Sequence, residues 1–468
     1  MRRVPFILAA LLTITAPLVA AADAAGRQRD QTTTPIQHVV VLMQEHHSFD
    51  SYFGTYPGAD GIPAGTCMPV DPGRPDLGCV KPHRIAKGRI EDHPVSAGTA
   101  AGQLNGGRMD GFLSAIQAQS GRLDPNVMGQ YSRRDLAYYW DVADHYVLFD
   151  HFFASSRGGS VSNRMYWVAG QPGIRDPSQE LIPEGGFDLP TIFDRLEAKG
   201  ISWKFYVQRY NPNINFRTRT TAHRGSQAVG GSFLNVPHDS GSQTARVPLL
   251  DMARYVDDPR LARRIVPIQQ YYKDLATGNL PAVSYIASSG SSERAPGSIG
   301  SGQALVRNLI TSLATSTAWS TSAFMWTYDD WGGSYDHVLP PAVDRFGYGF
   351  RVPALLVSPY AKRGTVEHST LDFTSILKFV ETNWQLRPLA RRDRTAASIA
   401  GAFDFSAPAR SPILLGKSGS AGLPHSRTAV AYFAYGLSLA VFTLILALSV
   451  RTARRSASRQ TIDEVRSK

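Results

Sequence analysis

Short runs of apolar residues recur through the middle of the chain and predict the strands of a buried sheet. The runs of strand length are 38–44, 202–207, 282–287, 323–328 and 352–357. An unbroken apolar run of this length is typical of a strand covered on both faces, whereas alternation with polar residues would indicate one face in water.

Segments with helical spacing lie between these runs. Residues 188–200 begin with an aspartate, carry an early proline and end at a glycine, while 304–313 and 373–384 repeat apolar side chains at helical spacing. Strands that alternate with helices favour an α/β fold with a mainly parallel central sheet and helices on both faces. Residues 210–245 are polar and predict a long loop or small cap, and the globular body is expected over 35–405.

The N-terminus has the features of a secretory signal peptide over residues 1–25. Arg2 and Arg3 precede an apolar stretch that runs to residue 22, and small residues at 20–25 offer cleavage sites. Sec-type and twin-arginine signals both begin in this way, and an N-terminal membrane anchor is the alternative.

The C-terminal region predicts a single transmembrane helix. Residues 428–450 carry no charge, and as a helix they would be about 35 Å long, against a hydrocarbon core of about 30 Å. The basic residues of 451–468 favour a cytoplasmic tail, which places the body on the extracytoplasmic side of the cell membrane. A buried core helix is the alternative. Residues 406–427, rich in serine, proline and glycine, predict a linker.

Composition narrows the class of protein. An apolar content of 43% excludes a mostly disordered chain, and two cysteines exclude a cysteine-rich zinc array. More than half of the formal net charge of +11 lies in Arg2, Arg3 and the tail, so nucleic acid is not expected as a partner, whereas phosphate groups remain compatible. In an exported protein Cys67 and Cys79 predict a disulfide, with two free thiols as the alternative.

Polar side chains follow two of the predicted strands directly. Glu45 and His46 come after the run 38–44, and Asp329 and Asp330 come after the run 323–328. Ligands in open α/β sheets bind beyond the carboxyl ends of the strands, so these four side chains are expected at one edge. Carboxylates with one imidazole suit a divalent cation. Ordinary turn and capping residues are the alternative.

A third candidate is the stretch from Gly158 to Trp167. Its glycines precede Ser160 and an apolar segment of helical character, so Ser160 is expected at a helix N-terminus, where backbone N–H groups favour an anion such as phosphate. The stretch has neither the nucleophile-elbow pattern of α/β-hydrolases nor a P-loop. A plain N-cap serine is the alternative.

Several motifs together resemble those of a known family. Residues 44–54, Gln-Glu-His-His-Ser-Phe-Asp-Ser-Tyr-Phe-Gly, are similar to the Glu-Asn-Arg-Ser-Phe-Asp signature of the phosphoesterase family that contains non-specific phospholipases C and related acid phosphatases. The resemblance covers nearly all of residues 36–395. Further motifs follow in the family's order at 105–112, 128–140, 160–164, 327–341, 349–359 and 372–393.

The resemblance implies an alkaline-phosphatase-like α/β fold and metal-dependent attack on a phosphate ester. The nucleophile would be Ser160, which would form a phosphoserine intermediate, with His93 and His337 as further catalytic residues. The substrate phosphate would contact Asn163, Arg164 and Arg294. The residues that would hold a divalent metal ion are Glu45, His46, Asp329 and Asp330.

Four positions depart from the family pattern, namely His46, His47, Asp330 and Arg294, and two of them bear directly on the chemistry. His46 replaces an asparagine, which favours zinc, iron or manganese over calcium. Arg294 replaces the histidine of a Glu-His-Pro motif, and arginine clamps phosphate but does not act as a general acid at neutral pH.

The leading hypothesis is a membrane-anchored enzyme of phospholipase C type that cleaves a phosphodiester such as a phospholipid head group. The alternatives are an acid-phosphatase-like phosphomonoesterase, which shares the chemistry but not the pocket, and a non-catalytic surface protein that binds phosphate groups on the same fold.

Overall fold

The predicted apolar runs form the centre of an eight-stranded sheet in a computed structural model of the chain, which describes residues 32–85, 92–176, 180, 182–218, 240–294 and 297–416. The signal peptide (1–25), the second half of the linker (417–427), the transmembrane segment (428–450) and the basic tail (451–468) lie outside the described residues. No helix within the described part of the chain combines the length and apolar character that crossing a membrane requires.

The strands of the described residues are numbered in chain order. They are β1 (His38–Gln44), β2 (Met68–Pro69), β3 (Cys79–Val80), β4 (His83–Arg84), β5 (Gly129–Gln130), β6 (Val147–Phe149), β7 (Phe152–Phe153), β8 (Trp203–Val207), β9 (Ile265–Pro267), β10 (Val283–Ala287), β11 (Ser322–Tyr328), β12 (Ala354–Val357), β13 (Thr365–Glu367) and β14 (Leu371–Asp372).

The α-helices are numbered in the same way. They are α1 (Phe49–Phe53), α2 (Ala97–Leu104), α3 (Phe112–Ser120), α4 (Ala137–His145), α5 (Ser160–Ala169), α6 (Ile192–Ala198), α7 (Ser240–Arg246), α8 (Ala253–Asp257), α9 (Pro259–Ala262), α10 (Gln269–Ala276), α11 (Ile299–Ala314), α12 (Phe373–Asn383) and α13 (Arg391–Thr395).

The central sheet has the strand order β13-β6-β12-β11-β1-β10-β8-β9. Every neighbouring pair is parallel except the two that involve β12, which runs antiparallel to β11 and to β6. The strand β12 is reversed because no crossover helix lies between β11 and β12, so the chain leaves and re-enters the sheet at the same edge. The prediction of a mainly parallel sheet is confirmed.

Helices cover both faces of the sheet. On one face, Phe205 and Tyr285 contact the rings of Trp167 in α5 and Phe193 in α6. On the other face, Tyr206, the neighbour of Phe205, contacts Tyr271 in α10. Successive side chains of a strand point to opposite faces, so these contacts show a three-layer arrangement in which the strands have apolar neighbours on both sides.

The ends of the predicted helices needed correction. The helix predicted over 188–200 begins at Ile192, because the Asp194 carboxylate accepts a hydrogen bond from the backbone N–H of Thr191 and fixes the first turn there. The helix predicted from residue 304 begins earlier, at Ile299, where the Ser298 hydroxyl accepts from the N–H of Ser301. The polar segment 210–245 is not only loop, since its end forms α7.

Two features join distant parts of the chain. Cys67 and Cys79 form a disulfide beside the short strands β2 and β3, as expected. The predicted linker begins in contact with the body: the backbone N–H of Arg410 donates to the carbonyl of Pro359, and the Trp319 indole donates to the carbonyl of Arg410. The first residues after 406 are therefore bound to the domain that precedes them.

Candidate functional site

The two strands that carry the candidate metal ligands are adjacent. β1 and β11 pair in parallel with Gln44 opposite Tyr328, so Glu45 and Asp329 leave the sheet side by side. The backbones stay paired beyond the strands, because the N–H of Asp329 donates to the carbonyl of Gln44 and the N–H of His47 donates to the carbonyl of Asp330. The expected common edge is therefore present.

Three of the four candidate ligands converge. His46, Asp329 and Asp330 each offer a ligand atom, and these atoms lie within 4.8 Å of one another. Nε2 of His46 is 3.5 Å from Oδ2 of Asp330, and the backbone N–H of His46 donates to Oδ1 of Asp329 over 3.2 Å. All three side chains are buried. Two carboxylates and an imidazole this close form a donor set that fits a divalent cation.

The backbone that supports this group allows only glycine at residue 332. Gly332 has a φ of +64°, and a Cβ there would lie 2.4 Å from the carbonyl oxygen of His46. Its N–H donates to Oδ1 of Asp330 over 2.9 Å. The close approach of the two loops therefore depends on the absence of a side chain.

Ser160 lies beside the metal-ligand group. It is the first residue of α5, as expected, and Gly159 is the N-cap, so the alternative of a plain N-cap serine is wrong. The Ser160 hydroxyl donates to Oδ2 of Asp330 over 3.3 Å. The structure thus brings the candidate nucleophile next to a candidate metal ligand from a distant part of the chain.

Glu45, the fourth candidate ligand, is held by an arginine. Nε of Arg246 lies 3.0 Å from Oε2 of Glu45, which is buried. Burial alone would raise the pKa of the Glu45 carboxyl. The positive charges of Arg246 and, to a smaller extent, Arg164 instead hold this pKa well below its ordinary value. Arg246 closes the polar segment 240–246, where nothing in the local sequence marks it as a site residue.

Arg164 neutralises the second carboxylate of the site. Its Nε lies 3.0 Å from Oδ2 of Asp329, and its other nitrogens donate to the carbonyls of Gln44 and Arg246. The side chain has no exposed surface. Arg164 therefore lies one helical turn after Ser160 in a buried ion pair with Asp329. Its expected contact with substrate stays a prediction.

Asp92 orients the imidazole of His46, although the sequence pattern did not indicate this role. Oδ1 of Asp92 lies 3.1 Å from Nδ1 of His46, and Oδ2 lies 3.2 Å from Nε of Arg294. With Nδ1 engaged, the other ring nitrogen faces Asp330, an arrangement typical of histidines that bind metals. The one available signal was its position directly before His93, a candidate catalytic residue.

Burial and charge shift the titration of the central groups. Burial and the neighbouring Asp329 carboxylate raise the pKa of Asp330 to about 7, although the positive charge of His46 acts to lower it. Burial and Arg294 work against protonation of His46, but the carboxylates of Asp330 and Asp92 raise its pKa above the ordinary value.

The N-terminus of α5 meets an anion supplied by the chain itself. The Glu180 carboxylate accepts hydrogen bonds from the backbone N–H and the hydroxyl of Ser162. Burial raises the pKa of Glu180 even though these bonds favour its charged form. The helix end that predicted a phosphate site therefore has a carboxylate partner, which the sequence did not indicate.

Asn163 supports the loop that precedes α5. Its side-chain oxygen accepts from the N–H of Ser156 over 2.9 Å, and its amide donates to the carbonyl of Gly159 over 3.1 Å. The side chain is fully buried. Asn163 therefore holds the backbone that carries Ser160, and its expected contact with substrate stays a prediction.

The two candidate catalytic histidines have different surroundings. His93 is buried, with Nδ1 3.8 Å from Oδ2 of Asp124, and its Cβ packs against Gly333, three residues after Asp330. Nδ1 of His337 lies 2.7 Å from Oδ2 of Asp50, and its Nε2 lies 3.2 Å from Oδ1 of Asp60. The structure thus places His93 beside the loop after β11 and His337 among other carboxylates. Their catalytic roles stay predictions.

Known proteins resemble this chain over most of its length. "Phospholipase C B" of Mycobacterium tuberculosis is 28% identical over an alignment that covers 85% of this chain and 83% of that protein. "Non-hemolytic phospholipase C" of Pseudomonas aeruginosa is 25% identical over 83% of this chain and 60% of its own. "Non-specific phospholipase C1" of Arabidopsis thaliana is 25% identical over 78% of this chain and 70% of its own.

Proteins of known structure also align with this chain, at low sequence identity. The phosphonate monoester hydrolase of Agrobacterium radiobacter aligns with a TM-score of 0.37 at 9% identity, over 78% of this chain and 77% of its own. The lipoteichoic acid synthase LtaP of Listeria monocytogenes aligns with a TM-score of 0.36 at 7% identity, over 80% of this chain and 82% of its own.

The relatives named phospholipase C and the match to a family model indicate that the chain is a phosphoric ester hydrolase. The model of the Phosphoesterase family matches residues 36–387, and the chain belongs to that family.

Proposed function

We propose that the chain is a phosphodiesterase of phospholipase C type that uses Ser160 as its nucleophile and needs a divalent cation. The observation that carries this proposal is the contact between the Ser160 hydroxyl and Oδ2 of Asp330, 3.3 Å apart, inside a buried group of carboxylates and one imidazole. The name phospholipase C, carried by a relative that aligns over 85% of this chain at 28% identity, supports a phospholipid head group as the substrate.

The reaction would proceed through two displacements at phosphorus. In the first, a bond forms between Oγ of Ser160 and phosphorus, the bond from phosphorus to the glycerol oxygen breaks, and the alcohol leaves with a proton. In the second, water attacks the phosphoserine, releases the head-group phosphate and restores the serine hydroxyl. Before attack, the hydroxyl donates its hydrogen bond to Asp330, so its proton already has an acceptor.

A cation held by His46, Asp329 and Asp330, with Glu45 close by, would stabilise the ionised serine and balance charge on the phosphoryl oxygens. Arg294 is partly exposed, and its contact with Asp92 places its guanidinium beside His46. From this position the guanidinium would bind the substrate phosphate. Arg246 is mostly buried against Glu45 and prevents that carboxylate from repelling the substrate.

We place this activity at the outer surface of the cell membrane. The signal peptide over 1–25 would export the chain, and the helix over 428–450 would anchor it beside a lipid substrate. The disulfide between Cys67 and Cys79 supports an oxidising compartment.

The test is an assay of the full chain in detergent with a chromogenic phosphocholine diester and the matching phosphomonoester, each with and without chelator. We expect cleavage of the diester that the chelator abolishes. Ser160→Ala should lower turnover by about 1,000-fold or more while the protein stays folded. The control is Ser114→Ala, which removes a hydroxyl that bonds within its own helix turn and should leave turnover unchanged.

The other outcomes identify the alternatives. Cleavage of the monoester alone would indicate a phosphatase. Folded protein that cleaves neither substrate would indicate a surface protein that binds phosphate groups. Full activity of Ser160→Ala would refute the serine mechanism.

A further inference from the structure

A second group of side chains with metal-ligand chemistry lies beyond the ends of β6 and β13. Asp150, His151 and His368 each offer a ligand atom, and these atoms lie within 4.8 Å of one another. β6 and β13 run parallel to β1, and two strand spacings, or roughly 10 Å, separate β6 from β11 in the sheet. The group therefore shares the edge of the candidate active site but uses other strands.

The contacts within this group are close and specific. Nδ1 of His151 lies 2.9 Å from Oδ1 of Asp150, and Nδ1 of His368 lies 2.8 Å from Oδ2 of the same carboxylate. Asp150 is fully buried, whereas the side chain of His368 is 61% exposed. The exposed imidazole of His368 therefore separates the buried carboxylate from solvent, and an ion would enter the group from this side.

Asp60, in the loop that follows α1, contacts this group without joining its ligand atoms. Its Oδ2 lies 3.4 Å from Nε2 of His151, and its backbone N–H donates to Oδ2 of Asp150 over 2.8 Å. The other charged groups that face Asp60 are Arg351, with Nη1 4.0 Å from Oδ2, and His337, with Nε2 3.2 Å from Oδ1.

The donor set selects a class of metal. Two imidazoles with one carboxylate favour zinc over calcium or magnesium, which prefer oxygen ligands alone. Ligand atoms bound about 2.05 Å from a tetrahedral zinc lie roughly 3.3 Å apart. The Nδ1 atoms of His151 and His368 lie 2.9 Å and 2.8 Å from the Asp150 oxygens, so a modest widening of these contacts would admit the ion.

We propose that Asp150, His151 and His368 form a zinc-binding site separate from the site at Ser160, with the backbone N–H of Asp60 supporting the Asp150 carboxylate. A bound ion would join two segments that are far apart in the chain: the turn between β6 and β7, and the connection after the edge strand β13. It would hold β13, which has a sheet neighbour on one side only, against the rest of the domain.

The test measures zinc content and thermal stability of the full chain, purified without a polyhistidine tag. His368→Gln is the main variant because this side chain is mostly exposed and its loss should not prevent folding. We expect it to weaken zinc binding at this site by about 10-fold or more and to remove the zinc-dependent rise in Tm. His151→Gln should act in the same way. The control is His145→Gln, a partly buried histidine on α4 that bonds to its own helix and should retain full zinc content.

A second variant separates this site from the proposed active site. Asp330→Asn removes a ligand of the catalytic group, so it should lower metal content there and abolish hydrolysis while the zinc bound through His368 remains. If His368→Gln and His151→Gln bind as much zinc as the unaltered chain, the proposal is overturned, and the histidines serve only as hydrogen-bond partners of Asp150. Loss of all zinc in Asp330→Asn would equally refute a separate site.

Discussion

Oγ of Ser160 lies 3.3 Å from Oδ2 of Asp330, although 170 residues separate the two in the chain. One is the first residue of a helix and the other follows the strand next to β1. Because one atom of Asp330 faces both the Ser160 hydroxyl and the His46 imidazole, the nucleophile and the metal ligands would act as a unit.

Asp92 is expected to act through His46 and Arg294 as a positioning residue. Asp92→Asn removes the charge that holds both side chains and should lower kcat by about 10 to 100-fold, with metal affinity falling by a similar factor. Titration of activity with metal measures both effects. Asp71→Asn, which alters a surface carboxylate paired with Arg74, is the matched control. A variant with reduced kcat but unchanged metal affinity would contradict the role assigned to Asp92.

The choice of metal should depend on His46. The imidazole favours zinc or manganese. Enzyme whose metal has been removed with a chelator should therefore regain more activity with these ions than with calcium. His46→Asn, which restores the family residue, should shift that order toward calcium by replacing nitrogen with an oxygen ligand. The measurement is activity of both proteins after reconstitution with each ion. An identical order of metals in the two proteins would show that His46 is not a ligand.

Arg246 is expected to stabilise the folded protein through its ion pair with Glu45. Arg246→Ala leaves a buried carboxylate without its nearest charge partner and should lower the free energy of unfolding by about 3 kcal/mol. Arg217→Ala breaks an exposed pair with Asp257 and should lower it much less, because water screens the two charges. Urea denaturation at neutral pH compares the two variants. Equal losses would mean that the buried pair contributes no more than the surface pair.

Glu381 should make stability depend on pH. Burial, reinforced by Asp393, raises the pKa of Glu381 to about 9 from an ordinary value near 4.5. Above pH 4.5 the unfolded chain loses this proton while the folded chain keeps it, so the group reduces stability progressively until about pH 9. Glu381→Gln removes the penalty and should raise the free energy of unfolding at pH 8 by about 1 to 3 kcal/mol.

The control for Glu381 is the same comparison in acid. At pH 5 the unfolded carboxyl is still about one quarter protonated, so the gain from Glu381→Gln should be under about 1 kcal/mol. A gain of equal size at both pH values would point to packing of the amide rather than to titration. The measurement is urea denaturation of the two proteins in matched buffers.

Much of the fold follows from local pattern. Unbroken apolar runs predicted β1, β8, β10, β11 and β12, because a strand buried on both faces needs apolar side chains at every position. The short strands β6 and β13 were missed because three residues carry too little pattern. The shared edge of Glu45, His46, Asp329 and Asp330 was also predictable, since each pair directly follows a strand.

The sequence by itself determined five strands of the sheet, the cysteine pair and the polar groups that end β1 and β11, because each is marked by residue types within a short stretch of the chain. The tertiary structure alone decided which charges neutralise which carboxylates. Arg246, Asp92 and Glu180 come from segments without regular pattern, and packing across the domain brings each to its partner. Partner choice of this kind depends on three-dimensional proximity, which spacing along the chain does not encode.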